Sequence, residues 1–434
     1  MAQVFYGWKL LSAFWVIAVI NLAFPAYGSA VLNAAMAAEL GFDRQALGTI
    51  VAVYLAMSGL PGPLVAASVN RIGVRWTLVI GSGFVIAGSV MLATIVDSVV
   101  LAIVAFGLIV GVGVATGAII AAQAGVARWF LRRRSLALSL LYSAGGIGGF
   151  IAPQILAAIA TAGPGQWRLG WWLVAALSVV AALIALVAVR ERPADLGQAP
   201  DGAAGSEGSR SAGAPAAAPV RIPAFVTRTD WSYRDALRGP YFWTMITPFV
   251  GVSAGIALFL GHGIVHLRDL GHSMQVGAWA VGTMTISGLA AKAVVALLGD
   301  RLDPRYLWAA FCAVFGVGMA ILVGAREPAA VTVAAACLGV GFGGGIVAMM
   351  ATLSNYYGTT VFASLSGLAI AINTGICSLA PIIAGRMYDQ GLGYSGAFYL
   401  IAGWSIAGGA FLALMKRPRP VTTVSAAAVP GSGV

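Results

Sequence analysis

Runs of about twenty predominantly apolar residues recur twelve times along this chain, and no other feature narrows its possible folds as far. At 1.5 Å of rise per residue, about twenty residues of helix cross a hydrocarbon core of about 30 Å. Lipid offers the backbone no hydrogen bonds, so a crossing has to satisfy its own amides and carbonyls, and a helix does this within one segment. The runs are Gly7–Leu32, Gln45–Val69, Arg75–Val96, Val99–Gln123, Leu136–Ala160, Gly170–Val189, Tyr241–Gly261, Gln275–Leu298, Leu307–Val323, Pro328–Ser354, Phe362–Arg386 and Ser395–Met415. With 60% hydrophobic and 9% charged residues among 434, the chain lies far outside the range of water-soluble domains. An all-α polytopic membrane protein is expected, with twelve transmembrane helices in two six-helix pseudo-symmetric halves. The first run is too long for the h-region of a signal peptide and no A-x-A-like site follows it, so it is expected to stay as a helix.

Of the 25 Lys and Arg residues, Arg44, Arg168, Arg268, Arg326 and Arg386 fall on one side, Lys292 falls within a span, and the rest collect on the side of both termini. The positive-inside rule then places both termini in the cytoplasm, with a bacterial-type cytoplasmic (inner) membrane as the expected location. The net charge of +11 follows from this asymmetry. It points to the lipid bilayer as partner and to no nucleic acid.

Between Glu191 and Gly239 the texture changes to "ERPADLGQAPDGAAGSEGSRSAGAPAAAPVRIPAF", which cannot bury enough apolar surface to order itself. The expected organisation is an N-terminal six-helix half over 1–190, a cytoplasmic linker over 191–239, a C-terminal six-helix half over 240–416 and a cytoplasmic tail over 417–434. Within the linker, "TDWSYRDALRGPYFW" suits a short interfacial helix that feeds the seventh span. The halves repeat: "GVGVATG" at Gly111–Gly117 matches "GVGFGGG" at Gly339–Gly345 with a shift of 228, as does Pro153 with Pro381, and "NRIGVRW" at Asn70 matches "DRLDPRY" at Asp300 with a shift of 230. Internal duplication marks secondary transporters, whose substrate site lies between the repeats near the midplane. The glycine clusters sit inside apolar spans with no preceding strand and no Walker lysine, so close helix packing accounts for them better than nucleotide binding. Cys312, Cys337 and Cys377 also fall inside spans, which implies packing and no disulfide framework.

One residue breaks the apolar pattern. In "SGLAAKAVVALLGDRLDPRY" Lys292 stands eight residues before Asp300, about 12 Å of helical rise, which puts its ammonium near the midplane and too deep to snorkel. Such a charge costs roughly 2.5–3.5 kcal/mol on insertion scales, so it should face a water-filled cavity and have a use. All 14 Asp and Glu residues map to loops, termini or helix ends, leaving no internal carboxylate to pair with it. The missing counter-ion is then most simply an anionic substrate; the plainer alternative is a lysine held by backbone carbonyls. Thr285, Gly288 and Val295 on the same helix face are small and leave room beside it.

Tyr27, Tyr142, Asn373 and Asn21 lie at similar depth. Each can orient a carboxylate or serve as a helix-to-helix hydrogen bond, with Asn21 the more structural. His262, His266 and His272 cluster after the seventh run, where a solvated outer loop is the expected setting; titration near neutrality is the alternative for His262. No carboxylate or cysteine completes a metal set, and neither metal nor cofactor is expected. Arg128, Arg132, Arg133 and Arg134 follow from topology. In the two repeated short loops, Asn70, Arg71, Arg75, Asp300, Arg301 and Arg305 are candidates for a gate that locks the cytoplasmic side when the cavity faces outward.

The "NRIGVR" and "DRLDPR" pair, with twelve spans and a central linker, resembles the major facilitator superfamily over essentially the whole chain. "FYGWKL" before the first span, "NLAFPAYG" within it and "WFLRRRSLALSL" entering the fifth resemble the monocarboxylate transporters and the related oxalate/formate antiporters, and Asn70 fits that group. The resemblance implies that a basic residue eight positions before the span-eight loop binds the substrate carboxylate, and Lys292 stands there. Two departures follow: Ala26 replaces the lysine after the aromatic-Pro pair, and Gly288 replaces the acid one turn before the span-eight cation. "AINTGICSLAP" also lacks the second lysine of the oxalate-type antiporters, and a single cation favours a monoanion over a dianion.

The expected function is therefore secondary transport of a small organic monoanion, a monocarboxylate, by alternating access of two halves in a monomer. No enzyme constellation is visible. Proton-coupled symport is expected to run through Lys292, helped by His262, because a docked anion favours the charged ammonium and proton and anion then bind with positive linkage. The alternatives are an anion exchanger, an exporter of amphipathic compounds, and a non-transporting anion sensor on the same fold.

Overall fold

A computed structural model describes residues 5–201, 227, 231–298, 302–358 and 360–415. Among these, eleven helices are long and apolar enough to cross a membrane, and the chain turns within one of them. Helix Gly62–Thr94 contains Gly73 at φ 88°, a conformation that side chains other than glycine rarely adopt. Gly73 thereby separates two antiparallel crossings. The twelve spans are α1 (Gly7–Leu40), α2 (44–72, bent at Pro61), α3 (74–94), α4 (Val99–Trp129), α5 (Arg134–Ala160), α6 (Gln166–Ala188), α7 (Pro240–Asp269), α8 (Met274–Leu298), α9 (Pro304–Val323), α10 (Pro328–Tyr357), α11 (Phe362–Leu392) and α12 (Ser395–Leu414). The face holding residue 5 and the Gly73 turn is called proximal below, and the face holding the 41–43 turn distal.

Glycine decides how the helices meet. In the first half, a Cβ on Gly111 of α4 would lie 2.9 Å from Met57 Cβ of α2, and one on Gly117 would lie 2.8 Å from the Gly81 carbonyl carbon of α3. In the second half, a Cβ on Gly343 of α10 would lie 2.6 Å from Gly288 Cα of α8, and one on Gly341 would lie 2.7 Å from the Phe311 oxygen of α9. The fourth helix of each half is thus pressed onto the second and third through bare backbone, as close packing in lipid favours. The matching glycine runs are packing devices, and the halves repeat in structure as in sequence.

Three helices run well past the apolar stretches that announce them: α1 to Leu40, α7 to Asp269 and α11 to Leu392. The distal ends of α1 and α7 pack against protein through Asn33, Ala34, Met36 and Ala37 and through Ile264, Val265, His266 and Leu267, whereas the last turn of α11, Tyr388–Leu392, has no buried residue and is held by Asp389 accepting from the amides of Arg44 and Gln45. Distal residues of the first half, among them Val31, Ala34, Leu47 and Ala157, belong to the same apolar core as α7–α12.

The linker also departs from its composition. Asp201 accepts hydrogen bonds from the amides of Leu131, Arg132 and Arg133, the latter two at 3.0 and 2.9 Å. Glu191 accepts from Val74 N at 3.0 Å, Arg75 N at 2.8 Å and Arg128 Nη1 at 2.7 Å. Two carboxylates therefore fasten residues 191–201 to turns of the first half, where composition alone gave no reason for order. A short helix, Tyr233–Arg238, capped by Ser232 Oγ accepting from Asp235 N at 3.2 Å, leads into α7. Residues 202–226 of the linker and the tail 417–434 lie outside the described residues.

Candidate functional site

Close approach of α5 and α8 sets the level of each polar side chain. These helices are antiparallel; a Cβ on Gly146 would lie 2.8 Å from Leu289 Cβ, and one on Gly149 would lie 2.7 Å from Thr285 Cγ2. One turn further toward the proximal face, the same register brings Tyr142 to the level of Lys292. Lys292 is half-buried and makes no hydrogen bond or ion pair with any described residue. The Tyr142 hydroxyl accepts from Gln123 Nε2 of α4. Gln123, which sequence reasoning passed over, is thus a polar neighbour of the lysine's level.

Tyr27 meets the same helix pair from α1. Its Cδ2 would lie 2.9 Å from a Gly149 Cβ, so its ring and Thr285 share that glycine's surface. Tyr27 also lines a cavity of about 250 Å³ between the halves, together with Tyr54 and Ser58 of α2, Ile119 of α4, Ile256 of α7 and Phe342 of α10. Tyr54 is fixed by stacking on Phe106, with ring centroids 4.5 Å apart. The backbone of α1, α4 and α7 includes π-helical turns at Val19–Gly28, Ile103–Val110 and Phe259–Gly263, and such turns gather at functional sites.

Asn373 and Asn21 are buried away from this cavity's lining. Asn373 lies on the Leu365, Ala369 and Cys377 stripe of α11 that joins the second half's core, and its Oδ1 has no partner among the described residues. Asn21 donates from Nδ2 to Ser82 Oγ at 2.8 Å and to the Gly117 oxygen at 3.0 Å, a helix-to-helix clamp in the first half. Asn33, beyond the apolar stretch assigned to the first span, is buried with neither amide atom partnered among the described residues.

The histidines correct the expectation of a solvated loop. His262 and His266 lie inside α7 and are buried. Nε2 of His266 is 3.0 Å from the Leu322 oxygen and Nε2 of His272 is 2.7 Å from the Ala325 oxygen. Leu322 lies in the last turn of α9 and Ala325 just past it, where carbonyls at a helix end keep acceptor capacity for a side-chain donor. His262 Nε2 lies 2.8 Å from the Pro381 oxygen of α11, and its Nδ1 lies 2.9 Å from the Tyr394 hydroxyl. A neutral tautomer with Nε2–H satisfies both bonds. Burial raises the Tyr394 hydroxyl above its ordinary pKa, so it stays protonated and donates. A proton placed on His262 has to displace it.

Polar closure between the halves, among the described residues, lies on the distal face. Asp389 of α11 accepts from Arg44 N at 3.2 Å and Gln45 N at 2.8 Å, the Arg44 guanidinium pairs with Asp269 of α7 at 2.9 Å, and Gln275 donates to Gln154 Oε1 at 2.8 Å. Among the described residues, the hydrogen bonds between the two six-helix halves all lie here. The proximal gate candidates bind within their own halves: Arg75 Nε donates to the Val189 oxygen at 3.0 Å, and Arg305 is buried against Tyr306 and the Met415 oxygen. Asn70 and Arg71 are exposed, while Asp300 and Arg301 lie outside the described residues. Arg128, assigned to topology by sequence, is also the ion-pair partner of Glu191.

Comparison with known proteins agrees with this architecture. The Major Facilitator Superfamily model matches residues 10–378 and 263–431. Monocarboxylate transporter 13 of Bos taurus is 24% identical over 418 residues, covering 94% of this chain and 88% of that protein. The uncharacterized transporter YycB of Bacillus subtilis is 22% identical over 395 residues, 88% of each. Among solved structures, the nucleoside transporter NupG superposes with a TM-score of 0.72 over 94% of this chain and 100% of its own, at 15% identity, a likeness of fold.

Proposed function

We propose, for a chain that belongs to the Major Facilitator Superfamily and is one of its membrane transporters, that the cargo is a small organic monoanion, a monocarboxylate, moved by proton-coupled symport. The observation that carries this reading is the half-buried Lys292 without an ion-pair partner among the described residues. An isolated cation in a span is costly and marks a substrate path. The name of the Bos taurus relative agrees with a carboxylate.

In this reading Lys292 holds the carboxylate, and Tyr142, Tyr27 and Asn373 are candidates to orient it. Anion and proton stabilise each other at the lysine, so each raises the other's affinity by the same factor. The empty, neutral site returns cheaply, and the protonated site moves with its anion. His262 is the second candidate for coupling. Asn70, Arg71, Arg75, Asp300, Arg301 and Arg305 form the proximal gate of the opposite state. Both termini and the linker are cytoplasmic, at a cytoplasmic (inner) membrane.

The test is uptake of a radiolabelled carboxylate panel by proteoliposomes with and without a pH gradient. Lys292→Ala should abolish binding while folding and insertion persist; wild-type affinity in this variant sinks the proposal. Lys292→Arg should bind and exchange the anion without concentrating it, and lose the fall in affinity at high pH, because arginine does not deprotonate. Proton-driven accumulation by Lys292→Arg moves the coupling elsewhere, and His262→Gln is then the variant to assay.

A further inference from the structure

The cavity between the halves is walled almost wholly by hydrocarbon, including Leu22, Ala26, Ile119, Ile256 and Phe342. Its polar atoms are few. Ser58 Oγ is already bonded to the Leu55 oxygen at 3.0 Å, while the Tyr27 and Tyr54 hydroxyls have no hydrogen-bond partner among the described residues. Those two hydroxyls can answer one or two polar groups of a ligand, but the rest of the wall is hydrocarbon and leaves most of the volume suited to an apolar body.

Volume points the same way. An apolar cavity of about 150 Å³ accommodates benzene, so about 250 Å³ has room for a ring or a branched aliphatic group with a short tether. The tether has a defined direction. Thr285, which shares the surface of Gly149 with the cavity-lining Tyr27, precedes Lys292 by two helical turns, about 10 Å of rise, and a helical lysine side chain leans back toward the N-terminal end of its helix. That lean directs the lysine stem from its own level toward that of Tyr27.

We propose that the anion held by Lys292 is amphipathic: a monocarboxylate whose body is a compact aromatic or branched aliphatic group seated between Tyr27, Tyr54, Ile256 and Phe342. The proposal rests on the reading of Lys292 as the anion site and adds a second, separable subsite. Recognition is then divided, with the charge read on α8 and the body held by helices of both halves.

Equilibrium binding of 3-phenylpropionate, acetate and 3-phenylpropionamide to the purified full chain tests both subsites. Wild type should bind 3-phenylpropionate at least about tenfold tighter than acetate, a factor within reach of burying one phenyl ring. Ala26→Leu, which fills the cavity from α1, should remove that advantage and leave acetate unchanged; Ile119→Phe fills it from α4 should the first variant fail to fold. Lys292→Ala should weaken both acids and leave the amide unaffected. Equal affinity of the two acids for wild type, binding of neither, or an Ala26→Leu variant that weakens both alike overturns the proposal. Wild-type binding of both acids by Lys292→Ala, with Ala26→Leu still selective against 3-phenylpropionate, removes the lysine from the site and keeps the apolar seat.

Discussion

Gly48 of α2 is where a single methyl group should tilt the balance between the two states of the carrier. A Cβ there would lie 2.6 Å from the Pro381 carbonyl carbon and 3.0 Å from His262 Nε2, with the Pro381 oxygen closer still. Carbon atoms in contact prefer about 3.5–4.0 Å, so Gly48→Ala overlaps the backbone of α11 by about an ångström. The strain falls on an interface between the halves, which separates when the distal face opens. Overpacking of this kind costs typically 1–3 kcal/mol. Charged only to the distally closed state, that cost shifts the equilibrium about 5- to 150-fold toward distal opening. The assay is the rate at which a membrane-impermeant maleimide labels Val51→Cys from the distal side, in a background without Cys312, Cys337 and Cys377. Val51 is buried at this interface and should react faster in Gly48→Ala. Gly375→Ala is the control, since a Cβ there meets nothing within 4 Å. An unchanged rate in Gly48→Ala, or an equal rise in the control, refutes the reasoning. Gly385→Ala, whose Cβ would lie 2.6 Å from the Arg44 carbonyl carbon, should act like Gly48→Ala.

Asn21→Leu should destabilise the first half by about 1–3 kcal/mol, because the fully buried amide clamps Ser82 and the Gly117 oxygen and its loss leaves a buried carbonyl unpaired; thermal melting in detergent reads this, and anion selectivity should not change. Glu191→Ala should cost about 1–2 kcal/mol, the charge-assisted bonds being discounted for a carboxylate that is 31% exposed; limited proteolysis after Arg190 and Arg192 should then accelerate. Tags at Met1, within Gly202–Ala218 and after Val434 should all be accessible from the cytoplasm only, and protection of the linker tag from that side would contradict the charge asymmetry on which the orientation rests.

Much of the architecture is legible in the chain itself because lipid is an unforgiving solvent. An apolar run of the right length in a bilayer has to be a helix, so twelve runs become twelve spans, and the repeated glycines already say where backbone meets backbone. Lys292 stands out for the same reason: a charge in an apolar run is visible without any fold. Hydropathy stops being informative where helix meets protein instead of lipid. The distal ends of α1 and α7 extend past their apolar runs for that reason, and the histidines of α7 look solvated in the sequence although they bond carbonyls of α9 and α11. Pairings such as Asp389 with the first amides of α2, Glu191 with Arg128, or Tyr142 at the level of Lys292 join residues far apart in sequence. No local pattern encodes them, and only the packed halves bring them together. The apolar cavity belongs to the same class, since its walls come from five helices, each of which shows it one or a few side chains among many that face lipid or core.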